Sequence, residues 1–562
     1  MVCYYFSIKH VITGRLKGFL GGLTSAKTEK ALVMEEERIY DAVIVGGGIS
    51  GLCAAYGLRD KDVCLLESDD RFGGRVLSEK FNDVSYNVGT QFIEDDKNDF
   101  NKLLEELGVE KKKQDVEPAY SMFWDNKLYE DAYDFPLSWR EKIDSLRFIS
   151  KAYRWNKLFL LPQDDPRWQN LVKKTLVDLQ QGFSSRVMVM FDIYLQGAIA
   201  STPEHTSGGI GARLVFDMVD NERIAFIKGG TQQITDALAA RVADKLTSQA
   251  KVAKVEEIDG IVHTTFRKEG QDHVIKSRKA IIATPAPLAI ELVPNLPDWK
   301  RDALSRVEYG LVFVTNIFFK KNIPWKRWNG MLAQGVIFDG ILDTTFNTEE
   351  DQNSETVIYN FIISRAPQDQ SAIDEIQSKS DEELVALIKQ DFARIVSEAD
   401  IDQYIIDAKV SRYPLGENAI STEFYSELLP DLAKPVGNIH FCGEHTDKFC
   451  FLEGAAASGF RVARELGSEL VPSENEEVRI GRRPLWGIYG WGVILANIAL
   501  IIGGSWMSGV PGAALGITGL LMLCMVIGYP FYTFPMKALY KGMLYIALAL
   551  GGIAALYAGL IR

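Results

Sequence analysis

The clearest pattern in this chain is a short apolar run, Ala42 to Val45, that stops at Gly46 and is followed by LCAAYGL, apolar at helical density, from Leu52. Strand, tight turn and helix are expected in that order. A second apolar run, DVCLLES, ends in Glu67. Farther on, QQITDALAARVADKL has a helical pattern, and Val252 to Ile258 follows with one apolar face, as a strand does. Ile261 to Phe266 reads as β-rich, and Ala280 to Thr284 runs as a strand into a loop broken by Pro285. Leu311 to Lys320 and Thr356 to Ser364 are strand-like, and Ser380-x-x-Glu383 is a capping box opening a helix with Leu384, Ile388, Phe392 and Ile395 on its core face. Asn438 to Thr446 is a strand that ends in Gly443-Glu444, and a long helix starts at Phe451. Residues 97–209 read as helical and aromatic, punctuated by Pro136, Pro162 and Pro166.

The first turn carries chemistry. It spells Gly46-x-Gly48-Ile49-Ser50-Gly51 between strand and helix. Gly46 supplies a positive φ, Gly48 lets a pyrophosphate approach the backbone, and Gly51 lets helix and strand pack closely. The first helical N–H groups then point at the phosphates. Glu67 stands where the second strand ends, about 20 residues on, placed to accept hydrogen bonds from a ribose. Dinucleotide binding is the reading of this βαβ unit. Directly after it comes Arg71-Phe72-Gly73-Gly74-Arg75, a glycine pair between two arginines. The buried pyrophosphate of a permanently held cofactor would explain it.

Together, GxGxxG, Glu67 and RxGGR resemble the flavin amine oxidase superfamily, which includes monoamine and polyamine oxidases, protoporphyrinogen oxidase and the carotenoid desaturases. The resemblance implies FAD as cofactor, with Gly46, Gly48, Ile49, Ser50, Gly51, Glu67, Arg71, Gly74 and Arg75 at its site. It further implies backbone contacts to the flavin at Gly89 and Thr90, and to the adenine end at Val252. Gly443, Glu444, Glu453, Gly454 and Ala455 resemble the C-terminal flavin signature, in which a helix N-terminus faces N1 and C2=O and stabilises the reduced ring. Tyr413, in a segment expected to lead into a loop, is a pocket candidate. The matching motifs span the soluble part of the chain.

The expected architecture is α/β, with a discontinuous Rossmann-like FAD domain, an α+β substrate domain and C-terminal transmembrane helices. The FAD domain takes residues 37–96, 210–295 and 436–471, and the substrate domain 97–209 and 296–435. Residues 1–36 form an extension, basic and poor in acid, read as a targeting segment or amphipathic anchor, or as an untranslated or disordered leader with Met34 as the start.

Charge alters the far end of the picture. After a linker at 472–483, no charged residue occurs from Pro484 to Met536, enough for two helices of about 20 residues. Gly542 to Ile561 makes a third uncharged run. Arg479, Arg482 and Arg483 before the first span, with Lys537 and Lys541 after the second, place the FAD domain on the cytoplasmic side of a multi-pass anchor, in an organelle membrane if residues 1–33 are a targeting segment. A net charge of −13 with no basic stripe interleaved with aromatics argues against nucleic acid. Six scattered cysteines imply neither a disulfide framework nor a zinc site, and no metal is expected.

No Ser/His/Asp or Cys/His nucleophile set is legible, so catalytic residues stay unassigned. His440 and His445 read as structural, and Cys450, three residues before Glu453, is a candidate for a place near the flavin ring. Many amine oxidases of the resembled family carry a lysine that holds a water at flavin N5; in register with Arg306-Val307-Glu308-Tyr309-Gly310, this chain has Val314. The sequence therefore favours hydride removal from a lipophilic substrate, desaturase-like or protoporphyrinogen-oxidase-like, with oxygen or a quinone as acceptor and membrane lipid as surroundings. Amine or polyamine oxidation is the alternative. A non-catalytic flavin-binding adaptor is a third reading.

Overall fold

The computed structural model describes residues 38–469, except 83, 95–98, 114–119, 131–133, 220–223, 346–354 and 450. The leader and the three expected membrane spans lie outside the described residues, and among these no helix is long and apolar enough to cross a membrane.

Two seven-stranded sheets organise the described chain, each drawn from distant segments. In the first, Ile39–Val45 lies between Val63–Leu66 and the end of Gln271–Ile282, all parallel. Leu246–Thr247 extends it on one side, and Ile439–Phe441 pairs in parallel with Ala280 to Ile282 on the other. Such strands are covered on both faces, which explains why they appear as unbroken apolar runs. Lys251–Ile258, Ile261–Lys268 and the start of Gln271–Ile282 form an antiparallel meander on the same sheet.

The second sheet runs Ile405–Asn418, Tyr309–Lys320, Thr356–Arg365, Gly340–Asp343, Gly330–Ala333, Tyr120–Trp124 and Lys127–Tyr129. Ser380 and Glu383 form the reciprocal capping box, and Asp381–Val396 buries Leu384, Ile388, Phe392 and Ile395. Phe392 meets the rings of Trp325, Tyr359 and Phe361 with centroids 5.2–5.8 Å apart.

Two expectations need correction. Residues 97–209 are not uniformly helical: beside the helices Asp99–Leu107, Trp139–Phe159, Pro166–Val172, Leu176–Gln180 and Ser185–Ile199 they contain three strands. Tyr120–Trp124 is held in place by parallel pairing with Gly330–Ala333, a partner too far along the chain for local pattern to reveal. The segment around Tyr413 also does not lead directly into a loop. It lies inside the strand Ile405–Asn418, and an irregularity in the pairing between Gly310/Glu417 and Val312/Tyr413 accommodates Pro414, which has no N–H to give the ladder.

The glycines of the first turn play unequal parts. A Cβ on Gly51 would come 2.0 Å from the Gly46 carbonyl oxygen, whereas one on Gly48 would meet nothing within 4 Å. Gly51→Ala should therefore destabilise the apoprotein by about 1–3 kcal/mol through overpacking, while Gly48→Ala should change it by less than about 0.5 kcal/mol. Denaturant melts of the two apoproteins test this, and equal losses would contradict it.

Candidate functional site

The site grows from the C-terminal edge of the first sheet. Val45 sits beside both Leu66 and Ile282, and Ile282 beside Phe441, so four parallel strands end together. The segments leaving them, Gly46 to Gly48, Glu67, Ala283-Thr284 and Cys442 to Glu444, share one rim, the place where open parallel sheets bind ligands. Two helices start on this rim, Ile49–Gly57 and Leu452–Glu465, and they pack against each other. A Cβ on Gly459 would lie 2.2 Å from the Ser50 carbonyl oxygen. Two helix N-termini thus present unpaired N–H groups to one crevice. Ile49 and Ser50 are buried in the first turn of one, Gly454 and Ala455 in that of the other.

The expected residues assemble here, with partners that sequence could not give. Glu67 Oε2 accepts the Gly47 N–H at 2.6 Å and Oε1 accepts the Asp69 N–H at 2.9 Å, so this carboxylate first braces the turn. Val252 follows closely, since the Ala250 N–H donates to the Glu67 carbonyl at 2.7 Å. Arg71 is tied locally, donating to the Gly74 carbonyl at 2.6 Å. Gly73 and Gly74 take φ of 119° and 57°, and Gly73 bridges to Gly48. Gly89 is demanded by the backbone: its Cβ would fall 1.8 Å from the Arg75 carbonyl oxygen, which accepts the Thr90 N–H at 3.1 Å. Gly443 has φ 137°, and its N–H donates to Ser458 Oγ at 2.9 Å.

Arg75 joins the two sheets. Its guanidinium pairs with Glu444 at 2.5 Å and donates to the Gly416 carbonyl of the second sheet at 2.6 Å. Burial works against both charges; Glu444 nonetheless raises the Arg75 pKa, and Arg75 holds the Glu444 carboxyl below the usual range. His440 Nδ1 meets Glu465 at 2.9 Å, and burial pushes His445 down to about 4, leaving it neutral.

The crevice fits FAD on its own evidence. Gly48 faces open space where a pyrophosphate would run, and the buried atoms Glu444 Oε1, His445 Nδ1 and Thr284 Oγ1 have no hydrogen-bond partner among the described residues. Buried polar atoms need partners, and a cofactor with hydroxyls, amide groups and phosphates supplies them. Cys450 lies outside the described residues.

Beside the crevice is a cavity of about 230 Å³, walled by the second sheet, by Gly89 to Glu94 and by Ser185–Ile199 and Gly208–Val219. Val314 and Tyr413 line it together with Val312, Met331, Ile341, Leu214 and Ile224. Carboxylates stand in its wall, and apart from Glu453 the sequence did not single them out. Glu94 and Asp217 both bind buried Arg213, the latter at 3.0 Å, and Asp339 binds Arg365 at 3.2 Å. Glu453 accepts the Glu94 N–H at 2.7 Å, and burial with the nearby Glu94 pushes it up to about 8. Burial raises Asp339 to about 6 despite Arg365. Glu417 is pushed up to about 8, by burial first and then by Glu444, against the pull of Arg75; no described donor hydrogen-bonds to it.

That shift gives a pH prediction. A folded pKa above the unfolded one means that Glu417 contributes stability below its ordinary value of 4.5, and the contribution is lost as pH rises towards about 8. Glu417→Gln should flatten the fall in apoprotein stability across that window. Denaturant midpoints at pH 5, 6, 7 and 8 check it, and parallel curves for both proteins would contradict it.

Comparison with known proteins agrees with this geometry. The model of the flavin containing amine oxidoreductase family matches residues 49–467. The chain is 25% identical to a probable flavin-containing monoamine oxidase A of Dictyostelium discoideum, over 78% of this chain and 99% of that protein. It is 23% identical to a flavin-containing amine oxidase of Oncorhynchus mykiss, over 78% of this chain and 87% of that one. Among solved structures, putrescine oxidase bound to putrescine superposes with a TM-score of 0.61 at 19% identity, covering 76% of this chain and 99% of that one. A protein from Exiguobacterium titled as a putative protoporphyrinogen oxidase gives 0.58 at 15% identity, covering 76% and 99%. With this crevice and a family match over residues 49–467, the chain belongs to the flavin-containing amine oxidase family and is an FAD-dependent oxidoreductase.

Proposed function

We propose that this enzyme removes a hydride equivalent from a lipophilic, weakly charged substrate held in the cavity beside the flavin site. FAD, when bound, supplies the two-electron acceptor. The chain's own residues do the rest. The cavity wall around Val312, Val314, Met331 and Ile341 excludes water and holds an apolar molecule by contact area. Arg75 and Glu444 fix the rim from which the flavin site opens, and Tyr413, in the strand Ile405–Asn418, lines the cavity.

The carrying observation is the state of the wall's carboxylates. Glu94 and Asp217 share the single positive charge of Arg213, Asp339 is paired with Arg365, and Glu417 and Glu453 are held protonated near neutral pH, so these pairings leave one net negative charge in the wall. Little negative charge is left to draw in an ammonium group. Val314 agrees with this, since an aliphatic side chain lines the cavity where the amine-oxidising pattern calls for lysine.

Amine oxidation is the second reading. The amine oxidases among the relatives and the superposition on putrescine oxidase favour it, and a neutral free amine suits the same cavity. The uncharged run from Pro484 to Met536 supports anchoring in a membrane, with the flavin site on the positively flanked side. A bilayer would supply a lipophilic substrate and a quinone; oxygen is the alternative acceptor.

Anaerobic mixing of the purified holoenzyme with porphyrinogen, carotenoid, hydrophobic monoamine and polyamine substrates tests the proposal. Uncharged lipophilic compounds should bleach the flavin absorption at least about tenfold faster than polyamines, the factor that about 1.4 kcal/mol of transition-state preference provides. Bleaching by polyamines alone would overturn it.

A further inference from the structure

We infer that the helix Trp139–Phe159 is a docking surface for an anionic lipid bilayer. The inference deepens the membrane reading above and rests on it for the orientation of the substrate domain. Ser138 and Glu141 close a capping box at its start, so the helix begins firmly at Trp139. Its inner face buries Ser145, Phe148, Ile149, Ala152, Asn156 and Phe159. The opposite arc carries Arg140, Lys142, Arg147, Lys151, Arg154 and Lys157, all exposed. On that arc Trp139 is 68% and Ile143 47% exposed, one helical turn apart. Solvated helix faces are commonly charged; large apolar side chains standing out from a basic face are the signature of a helix lying in a membrane interface.

The charge on this arc is largely unspent. Arg147 pairs with Asp144 at 2.6 Å and Lys151 lies over the Phe183 ring at 4.7 Å. Arg140, Lys142, Arg154 and Lys157 meet no carboxylate among the described residues. This positive strip sits on a chain of net charge −13, so its partner is a dense anionic surface and not a generic counter-ion. Indole and isoleucine side chains add the requirement that this surface also accept apolar groups, which phospholipid headgroups over acyl chains do.

Position gives the docking a purpose. The helix packs on Gly208–Val219, whose Leu214 and Asp217 wall the cavity. A bilayer against the outer arc would therefore lie two helices from that cavity.

The test uses the full-length, FAD-loaded protein with vesicles of phosphatidylcholine alone or with phosphatidylserine, the acyl chains being brominated. The difference in tryptophan fluorescence between this protein and Trp139→Phe isolates Trp139. In phosphatidylserine vesicles that difference signal should be quenched, and the quenching should disappear in Arg140→Glu/Lys142→Glu/Arg154→Glu/Lys157→Glu, provided the variant keeps its flavin content. An unquenched Trp139 signal overturns the inference, as does quenching that the fourfold variant leaves unchanged. Salt-sensitive vesicle binding without quenching would assign the strip to an acidic protein partner and overturn it as well. Flotation after an alkaline carbonate wash reports on the C-terminal anchor separately. Loss of flotation with retained Trp139 quenching contradicts the anchor alone, and flotation without quenching contradicts the helix alone.

Discussion

The structure depends on one steric concession: two helices converge on a single sheet edge because neither Gly51 nor Gly459 has a side chain. With a Cβ at either place, helix and strand or helix and helix would overlap by more than an ångström of ordinary contact distance. Their convergence points two N-terminal sets of N–H groups into one crevice, where the sequence resemblance expects the phosphate and ring ends of FAD. The strand ends bearing Glu67, Thr284 and Glu444 have their positions from the same parallel register.

From that edge the Arg75–Glu444 pair carries the organisation across to the second sheet. Arg75 contacts the Gly416 carbonyl, in the strand that also holds Tyr413 and Glu417. Removing one partner of such a half-buried pair leaves the other as an uncompensated charge, so the pair joins cofactor crevice and substrate cavity more firmly than its Coulomb attraction alone suggests. The cavity itself is quiet electrostatically. Its carboxylates are paired with Arg213 and Arg365 or held protonated by burial, and apolar contact is what remains to select a substrate.

Much of the crevice was legible because its constraints are local. Gly46 to Gly51, Glu67 and Gly443-Glu444 each sit at a strand end whose apolar run is visible in the sequence, and the core face of Asp381–Val396 follows from helical spacing and its capping box. The cavity was far less legible. Arg213 and Asp217 are helical neighbours four residues apart, but Glu94 meets Arg213, and Asp339 meets Arg365, through pairings between distant segments that no spacing announces. Tyr120–Trp124 escaped for the same reason, since its partner strand is Gly330–Ala333. Gly89 shows the limit in another way. A glycine was expected there, but the Arg75 carbonyl is what demands it.

The account stands or falls on the claim that the cavity selects for apolar contact and not for positive charge. The direct measurement is the binding of a matched pair, a long-chain primary amine and its isosteric alcohol, followed at pH 7 through the visible spectrum of the oxidised flavin. The account predicts that the alcohol binds at least as tightly as the ammonium form. A preference for the ammonium of about tenfold or more, some 1.4 kcal/mol, would contradict it and make amine oxidation the function of this cavity.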